Sequence, residues 1–283
     1  MLWWRAERLG IAIVKTTHWP FVHINHPLRG CNVANAKRNL ELGKTVPPRN
    51  FLWDRIQRRR GMPWPIPRII HQCWIGPLPP PRKWMSTWKE KHPDWEYRLW
   101  TEEEILSLPL TLERHYHEMP KLSGKINLAR YEILLRYGGI YIDADSECVR
   151  PLPEELFCSP LVWASYEHEI RKRDLVANGM MGAEPGNPFV AELIMRLRET
   201  EYLSPESWRS CGPMFITQVW RETRYPLVIF PSVFFLPQWW NEQTPHSPEI
   251  FARHYWGSSP PTGSGHRDYP RTTMGGEIGQ GVV

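Results

Sequence analysis

The sequence lacks the features that mark several common classes of protein. Its five cysteines are odd in number and include no C-x-x-C pair, which argues against a zinc ribbon or a disulfide framework and favours reduced thiols. It has no N-x-S/T sequon, as expected for a cytoplasmic protein. No window approaches 18 apolar residues, so we expect no transmembrane helix. The apolar run from Leu9 to Val14 is too short to span a bilayer and lacks a small-residue cleavage site, which argues against a secretory signal.

The composition is otherwise that of a globular protein. Hydrophobic residues make up 41% of the 283 residues and charged residues 23%, which excludes wholesale disorder and leaves one large domain or two small ones. Two counts are unusual, 29 prolines and 16 tryptophans. Tryptophan is often a core residue, but it also lines sites that stack sugars or bases.

The net charge of +5 is concentrated at one end of the chain. Residues 1–60 hold twelve Lys or Arg against three acidic residues, while the rest holds 23 against 27. We therefore predict a basic extension (1–60), a folded domain (61–258) and a Pro/Gly/Ser-rich tail (259–283). The extension, with its tryptophans, is suited to an anionic lipid surface. Two alternatives remain open: a solvated, poorly ordered terminus, and a native start at Met62.

Strands and helices are predicted to alternate along the domain, which indicates an α/β fold. We predict a buried strand over 66–75, a short helix over 84–91 and a strand over 97–100. Thr101 and Glu104 form a capping box that opens the next helix. Further along, we predict a helix over 188–198 and strands over 227–230 and 233–236.

The most informative segment runs from Ile126 to Asp145. Apolar residues at helical spacing predict an amphipathic helix over 126–137, and Gly138-Gly139 ends it. The apolar strand 140–142 then leads directly into Asp143-Ala144-Asp145. Ligands of open α/β sheets bind beyond the carboxyl ends of the strands. Two carboxylates at that position can both face one cation.

Carboxylate oxygens suit a hard Mg²⁺ or Mn²⁺ ion, which usually also binds substrate phosphates. Such an ion stabilises a departing diphosphate, so a nucleotide-sugar donor fits. A phosphatase of the haloacid-dehalogenase type also has an aspartate pair after a strand, but it needs further acidic residues near the C-terminus. After Asp145 the only aspartates are Asp174 and Asp268, and no G-D-x-x-x-D pattern occurs. A structural strand-turn cap is the remaining alternative.

Three blocks in this order resemble glycosyltransferase family 32, a group of DXD sugar transferases that includes fungal mannosyltransferases and capsule and lipopolysaccharide enzymes. The blocks are IPRIIHQCWIG (66–76), HPDWEYRLW (92–100) and ARYEILLRYGGIYIDAD (129–145). The resemblance covers about residues 66–257. It implies a GT-A-type, Rossmann-like nucleotide-sugar-binding domain, with a mixed, mostly parallel central sheet flanked by helices. It also implies a UDP- or GDP-sugar donor, a glycan or lipid-linked acceptor, Mn²⁺ rather than Mg²⁺, and retention at the anomeric carbon.

The resemblance also assigns roles to individual residues. Asp145 would bind the metal directly, Asp143 would support the metal and contact the donor, and Arg130 would reach the donor. His254 would be a third metal ligand. The substrate-binding residues implied are His71, Gln72, Trp74, Asn127, Asn178 and Gly179. Trp74 could equally be a core residue.

Two departures from the family pattern bear on activity. Asn127 stands where the family usually has an aspartate, so a charge is lost there while a hydrogen-bonding oxygen remains. Ser259 is followed by Pro260, whereas the family often has Ser-Trp in the block that closes over the donor. A catalytically silent carbohydrate-binding relative is therefore the alternative to an enzyme.

Taken together, the sequence predicts a cytoplasmic glycosyltransferase with peripheral contact at the inner face of the membrane through residues 1–60, and with no nucleic-acid partner. We expect that deletion of residues 1–60 abolishes sedimentation of the protein with anionic vesicles, because the remaining chain is net acidic. The binding of the full chain should fall steeply with salt. Equal sedimentation of the two forms would contradict a role for the extension, and salt-sensitive binding to DNA would replace the lipid with nucleic acid.

Overall fold

The computed structural model describes residues 65–153, 161–169, 172–238, 247 and 249–255. The strands are β1 (Ile69–Cys73), β2 (Glu96–Trp100), β3 (Gly139–Ile142), β4 (Ser146–Cys148), β5 (Val162–His168), β6 (Lys172–Ala183), β7 (Val228–Phe230) and β8 (Ala252–His254). The helices are α1 (Arg82–Lys91), α2 (Glu102–Leu106), α3 (Glu113–Glu118), α4 (Leu122–Tyr137), α5 (Pro188–Glu199), α6 (Ser207–Ser210), α7 (Pro213–Thr223) and α8 (Ser232–Phe235).

Six strands form a central sheet in the order β2-β1-β3-β6-β5-β7. The pairs β1–β2, β1–β3 and β5–β7 are parallel, whereas β6 is antiparallel to both of its neighbours. All strands of the sheet except β6 therefore run in one direction, and their carboxyl ends lie at one edge. The predicted α/β class with a mixed, mostly parallel sheet is confirmed.

A second sheet of two strands, β4 and β8, lies beside the first. It begins directly after the two aspartates, with Ser146 paired to His254. Helix α1 packs on this small sheet: Trp88 donates from Nε1 to the carbonyl of Ser146 over 2.8 Å, and Trp84 stacks on Tyr255 with 4.3 Å between ring centroids. Both tryptophans are buried. Tryptophan therefore serves here to hold a sheet in place.

Helix α4 crosses the main hydrophobic core and is buried on more than one face. Its residues from Asn127 to Leu134 are all buried, so the predicted amphipathic stripe covers only part of the buried surface. The polar members have partners; for example, Glu132 accepts a hydrogen bond from the backbone of Leu112 over 2.8 Å. Helix α4 ends at Tyr137, as predicted. Gly138 and Gly139 end it because they adopt φ values of +63° and +85°, which other residues rarely adopt.

Most of the predicted elements are present within one to four residues of their expected bounds. The capping box at Thr101 and Glu104 is formed in both directions. The strand predicted over 233–236 is wrong, because residues 232–235 form the short helix α8 instead. A short apolar run does not distinguish a strand from a buried helical turn. Here Phe234 and Phe235 pack with Phe251, which a helical turn after Pro231 permits.

Cys73, Cys148 and Cys211 are buried free thiols, in agreement with the expectation of reduced cysteines. Cys31 and Cys158 lie outside the described residues, as do the basic extension and the tail. Among the described residues, no helix is both long and apolar enough to cross a membrane.

The fully buried His71 joins β1 to the glycine pair that precedes β3. Its Nε2 atom bonds the carbonyl of Gly138 over 2.9 Å, and its Nδ1 atom accepts a hydrogen bond from Trp100 Nε1 over 3.1 Å. This pattern requires the neutral imidazole with its proton on Nε2. Burial lowers the pKa of His71 to about 4, against the smaller opposing effect of the bond to Gly138.

His71 should therefore destabilise the fold in acid. The unfolded chain binds a proton near pH 6.5 and the folded chain only near pH 4, so stability falls as the pH drops through this window. We expect His71 to contribute a loss of about 2 kcal/mol between pH 8 and pH 5. Urea unfolding at both values measures it, with H71Q as the matched variant, because Gln can donate and accept in the same place. An equal pH dependence of the two proteins would contradict this prediction.

Candidate active site

The two aspartates lie on a tight turn at the carboxyl end of β3. Strand β3 is buried throughout, and the backbone N–H of Asp143 donates to the carbonyl of Gly179 on β6 over 2.8 Å. The N–H of Ser146 donates back to the carbonyl of Asp143 over 3.1 Å, which closes the turn. Asp143 and Asp145 are only partly exposed, at 27% and 15% of their side-chain surface. The hydrogen bond to β6 therefore fixes the backbone of the turn, while both carboxylates keep part of their surface exposed.

Arg130 supports Asp143 from helix α4. Its Nη2 atom lies 2.5 Å from Asp143 Oδ1, and its guanidinium lies over the ring of Tyr141, 4.4 Å from the centroid. The side chain is almost fully buried, and its Nε atom has no hydrogen-bond partner among the described residues. A buried cation needs a compensating charge, and Asp143 provides it here. Arg130 therefore holds Asp143 in place from within the protein core.

Strand β8 brings His254 to the two carboxylates. Because Ser146 and His254 are paired across the small sheet, the imidazole lies next to the turn: His254 Nε2 is 3.1 Å from Asp145 Oδ1 and 3.6 Å from Asp143 Oδ2. One ligand atom from each of the three residues falls within 4.8 Å of the others. Two carboxylate oxygens and one imidazole nitrogen at these separations form a donor set that fits one divalent ion.

The charges of this cluster act strongly on His254. Burial opposes its charged form, but the carboxylates of Asp145 and Asp143 outweigh that effect and raise its pKa to about 10. The protonated imidazole thus balances the two carboxylates in the arrangement described. A bound divalent ion would take over this role, since a ligating histidine must be neutral.

The structure places two of the predicted substrate-binding residues behind the turn. The amide of Gln72 donates to the carbonyl of Asp143 over 3.2 Å and accepts from the hydroxyl of Tyr97 over 2.7 Å. Gln72 and His71 are both fully buried. Their contact with the nucleotide stays a prediction, and this geometry favours a positioning role.

Trp74, a further predicted substrate-binding residue, lies past the end of β1. It is half-buried, and its Nε1 donates to the carbonyl of Leu78 over 2.6 Å. The structure thus leaves part of its side chain exposed.

Asn127 and Asn178 meet beneath the site in a buried network. The amide of Asn178 donates to Asn127 Oδ1 over 3.0 Å and to the hydroxyl of Tyr131 over 3.1 Å. Tyr131 in turn donates to the carbonyl of Cys211 over 2.9 Å, just before the Gly212-Pro213 start of α7. Sequence reasoning missed Tyr131 and Tyr97, because nothing in the pattern distinguishes a bonded buried tyrosine from an ordinary core residue.

The mixed α/β sheet, with an aspartate pair after β3 and His254 brought beside it by β8, agrees with the GT-A-type domain and the DXD motif that the resemblance implies. Comparisons with known proteins agree. Residues 81–163 match the family described as "Glycosyltransferase sugar-binding region containing DXD motif". The resemblance to glycosyltransferase family 32 is confirmed by this match and by the curated relatives that follow.

The relatives found include fungal enzymes named for mannosyl transfer. "Inositol phosphoceramide mannosyltransferase 1" of Schizosaccharomyces pombe is 30% identical over 67% of this chain and 63% of its own. "Mannosyl phosphorylinositol ceramide synthase CSH1" of Saccharomyces cerevisiae is 31% identical over 56% of this chain and 43% of its own. Among solved structures, "PaToxG Glycosyltransferase" aligns with a TM-score of 0.48 and 15% identity, over 66% of this chain and 78% of that one. The chain spans less than two thirds of either fungal relative.

Gly179 leaves the space that Asp143 occupies. A Cβ atom at Gly179 would lie 2.4 Å from Asp143 Oδ2, far inside contact distance. We expect G179A to displace the Asp143 carboxylate and to weaken Mn²⁺-dependent nucleotide binding about ten-fold or more. The reason is that a side chain expected to contact a metal must be held close to its productive position. Titration calorimetry with UDP and GDP in Mn²⁺ measures this.

The control for G179A is G186A. Gly186 has a φ of +68°, and a Cβ atom added there would meet no described atom within 4 Å. Alanine at this position should therefore cost stability through backbone strain and leave nucleotide binding unchanged. If G179A and G186A bind nucleotide equally well, Gly179 does not set the position of Asp143.

Proposed function

We propose that this protein transfers a sugar from a nucleoside-diphosphate donor to a hydroxyl group of a glycan or lipid-linked acceptor, with retention at the anomeric carbon and with a divalent metal. The observation that carries the proposal is the cluster of Asp143, Asp145 and His254, with Arg130 buried behind it. Carboxylates alone would repel a diphosphate. A metal held by them attracts it, which is the arrangement expected of a DXD enzyme.

Mn²⁺ is the metal we propose. Two carboxylates would serve Mg²⁺ equally well, but His254 adds a nitrogen ligand, and imidazole suits transition-metal ions. When bound, the ion would stabilise negative charge on the departing diphosphate. Asp143, Asp145 and His254 would hold it.

The residues around the metal ligands would orient the donor. Arg130 fixes Asp143 through its guanidinium, so that its positive charge lies directly behind the proposed metal ligands. Gln72 and Gly179 fix the backbone of the same turn. For retention, the acceptor hydroxyl would attack from the face of the leaving diphosphate, and a diphosphate oxygen would take its proton, so that no dedicated protein base is required.

The names of the relatives direct the choice of substrates. Both fungal proteins are named for mannosyl transfer to an inositol-phosphate ceramide, so a mannosyl donor and an inositol-phosphate lipid are the first candidates for this chain. Capsule and lipopolysaccharide acceptors stay in the proposal as glycan alternatives. A lipid-linked acceptor accords with peripheral location at the cytoplasmic face of a membrane, which is likewise proposed.

A catalytically silent carbohydrate-binding protein is the second candidate. Asn127 favours the carbohydrate-binding alternative, because its side-chain amide is hydrogen-bonded to Asn178 and Cys211 and carries no charge that could act on a sugar. The retained Asp143, Asp145 and Arg130 favour the enzyme. Incubation with a panel of UDP- and GDP-sugars and Mn²⁺ separates the two, since an enzyme releases nucleoside diphosphate at least slowly.

We expect D145A to lower release of nucleoside diphosphate from the accepted donor about a hundred-fold or more, because the metal loses a ligand and the leaving group loses its counter-charge. EDTA should have the same effect on the unaltered protein, and Mn²⁺ should restore activity better than Mg²⁺. The matched control is E147Q, since Glu147 lies two residues on and bonds Tyr255 rather than the cluster. Unchanged turnover by D145A would refute the proposed function.

A further inference from the structure

Glu167 lies at the same edge of the sheet as the aspartate pair. Strands β3 and β5 are both antiparallel to β6 and hence parallel to each other, so the carboxyl end of β5, where Glu167 lies, is beside the end of β3. With β6 between them, the two ends are about 10 Å apart at normal strand spacing. Residues at this edge of an α/β sheet are placed to meet a ligand.

Helix α8 connects the end of β5, where Glu167 lies, with strand β8. Glu169, two residues after Glu167, accepts hydrogen bonds from the backbone N–H and the hydroxyl of Ser232, the first residue of α8. Trp163 packs on Phe235 of helix α8, with 5.5 Å between ring centroids. Helix α8 in turn bonds the start of β8, through the N–H of Phe251 and the carbonyl of Phe234 over 2.8 Å. The end of β5 and the start of β8 therefore both contact helix α8, and the charge of His254 acts on the carboxyl group of Glu167.

One carboxyl oxygen of the half-buried Glu167 is enclosed without a hydrogen bond. Its Oε2 atom has no partner among the described residues. Burial raises the pKa of Glu167 to about 7, although the cations of Lys172 and His254 oppose the rise. Two residues along, Glu169 accepts hydrogen bonds from both the backbone N–H (2.8 Å) and the hydroxyl of Ser232. An enclosed carboxyl without such partners lowers stability, and such sites are commonly functional.

We propose that Glu167 is a substrate-contacting residue whose carboxylate accepts a hydrogen bond from a hydroxyl group of a sugar. This inference rests on the proposed transferase function. A hydroxyl group supplies the missing donor, whereas a phosphate oxygen would be repelled, so the diphosphate is not the group that meets Glu167. The hydroxyl belongs either to the transferred sugar or to the acceptor. In the first case substitution of Glu167 weakens binding of the nucleotide sugar, and in the second it raises the KM for the acceptor.

The test compares E167Q and E167A with the unaltered full chain, and uses E169Q as the matched control. Three quantities are measured: kcat/KM for the donor and acceptor found in the sugar panel, the affinities for GDP or UDP and for the corresponding nucleotide sugar in Mn²⁺, and the Tm. We expect both Glu167 variants to lose about ten-fold to a hundred-fold in kcat/KM, the range of one hydrogen bond to a charged group. E167Q should keep or raise the Tm, because an enclosed charge is removed.

E169Q should behave in the opposite way. It weakens the bonds to Ser232, so its Tm should fall while kcat/KM, measured well below that Tm, stays near that of the unaltered protein. For Glu167, weaker binding of the nucleotide sugar with unchanged binding of the nucleotide assigns the hydroxyl to the transferred sugar. Unchanged donor binding with a raised acceptor KM assigns it to the acceptor.

Two results would overturn the inference while leaving the transferase function in place: full activity of both Glu167 variants, or a loss of activity that follows a fall in Tm. If the unaltered protein neither binds nor consumes any nucleotide sugar, the proposed function fails and the inference fails with it.

Discussion

Two carboxylates held close together at the end of a buried strand require positive charge nearby, and much of the surrounding structure supplies it. Arg130 approaches Asp143 from helix α4 and His254 approaches both aspartates from β8. Each cation comes from a different part of the chain, and each is itself buried. Neither would be stable there without the carboxylates, so the charges hold one another in place. A divalent ion in the same position would satisfy the same requirement.

The small sheet and helix α1 give this charge cluster its rigidity. Strand β8 fixes the position of His254 through pairing with Ser146, and the N–H of Tyr255 bonds the carbonyl of Asp145 over 3.0 Å. Trp84 and Trp88 of helix α1 contact the small sheet through Tyr255 and Ser146. The abundance of tryptophan thus has a structural explanation at these positions. Trp74, half-buried past the end of β1, is the one of the three best placed to meet a ligand.

The sequence was most informative where local chemistry determines structure. The capping box at Thr101, the glycines after α4 and the aspartate turn after β3 each follow from short-range rules, and all are present. The roles of His71 and Gln72 were less accessible. Both belong to the 66–76 block on which the sequence resemblance partly rests, yet their polar atoms are bonded by distant backbone and side-chain groups that only the fold brings near. Glu167 was not identified at all, because a single glutamate on a strand has no distinguishing pattern until its surroundings are known.

The pairing of β4 with β8 also bears on how the protein is made. Glu147 and Tyr255, which bond each other across this sheet, are separated by 108 residues of chain. A ribosome needs about 5 to 20 seconds to add that length. His254 is added only at the end of this interval. The cluster of Asp143, Asp145 and His254 therefore cannot be complete before nearly all of the described residues have been synthesised.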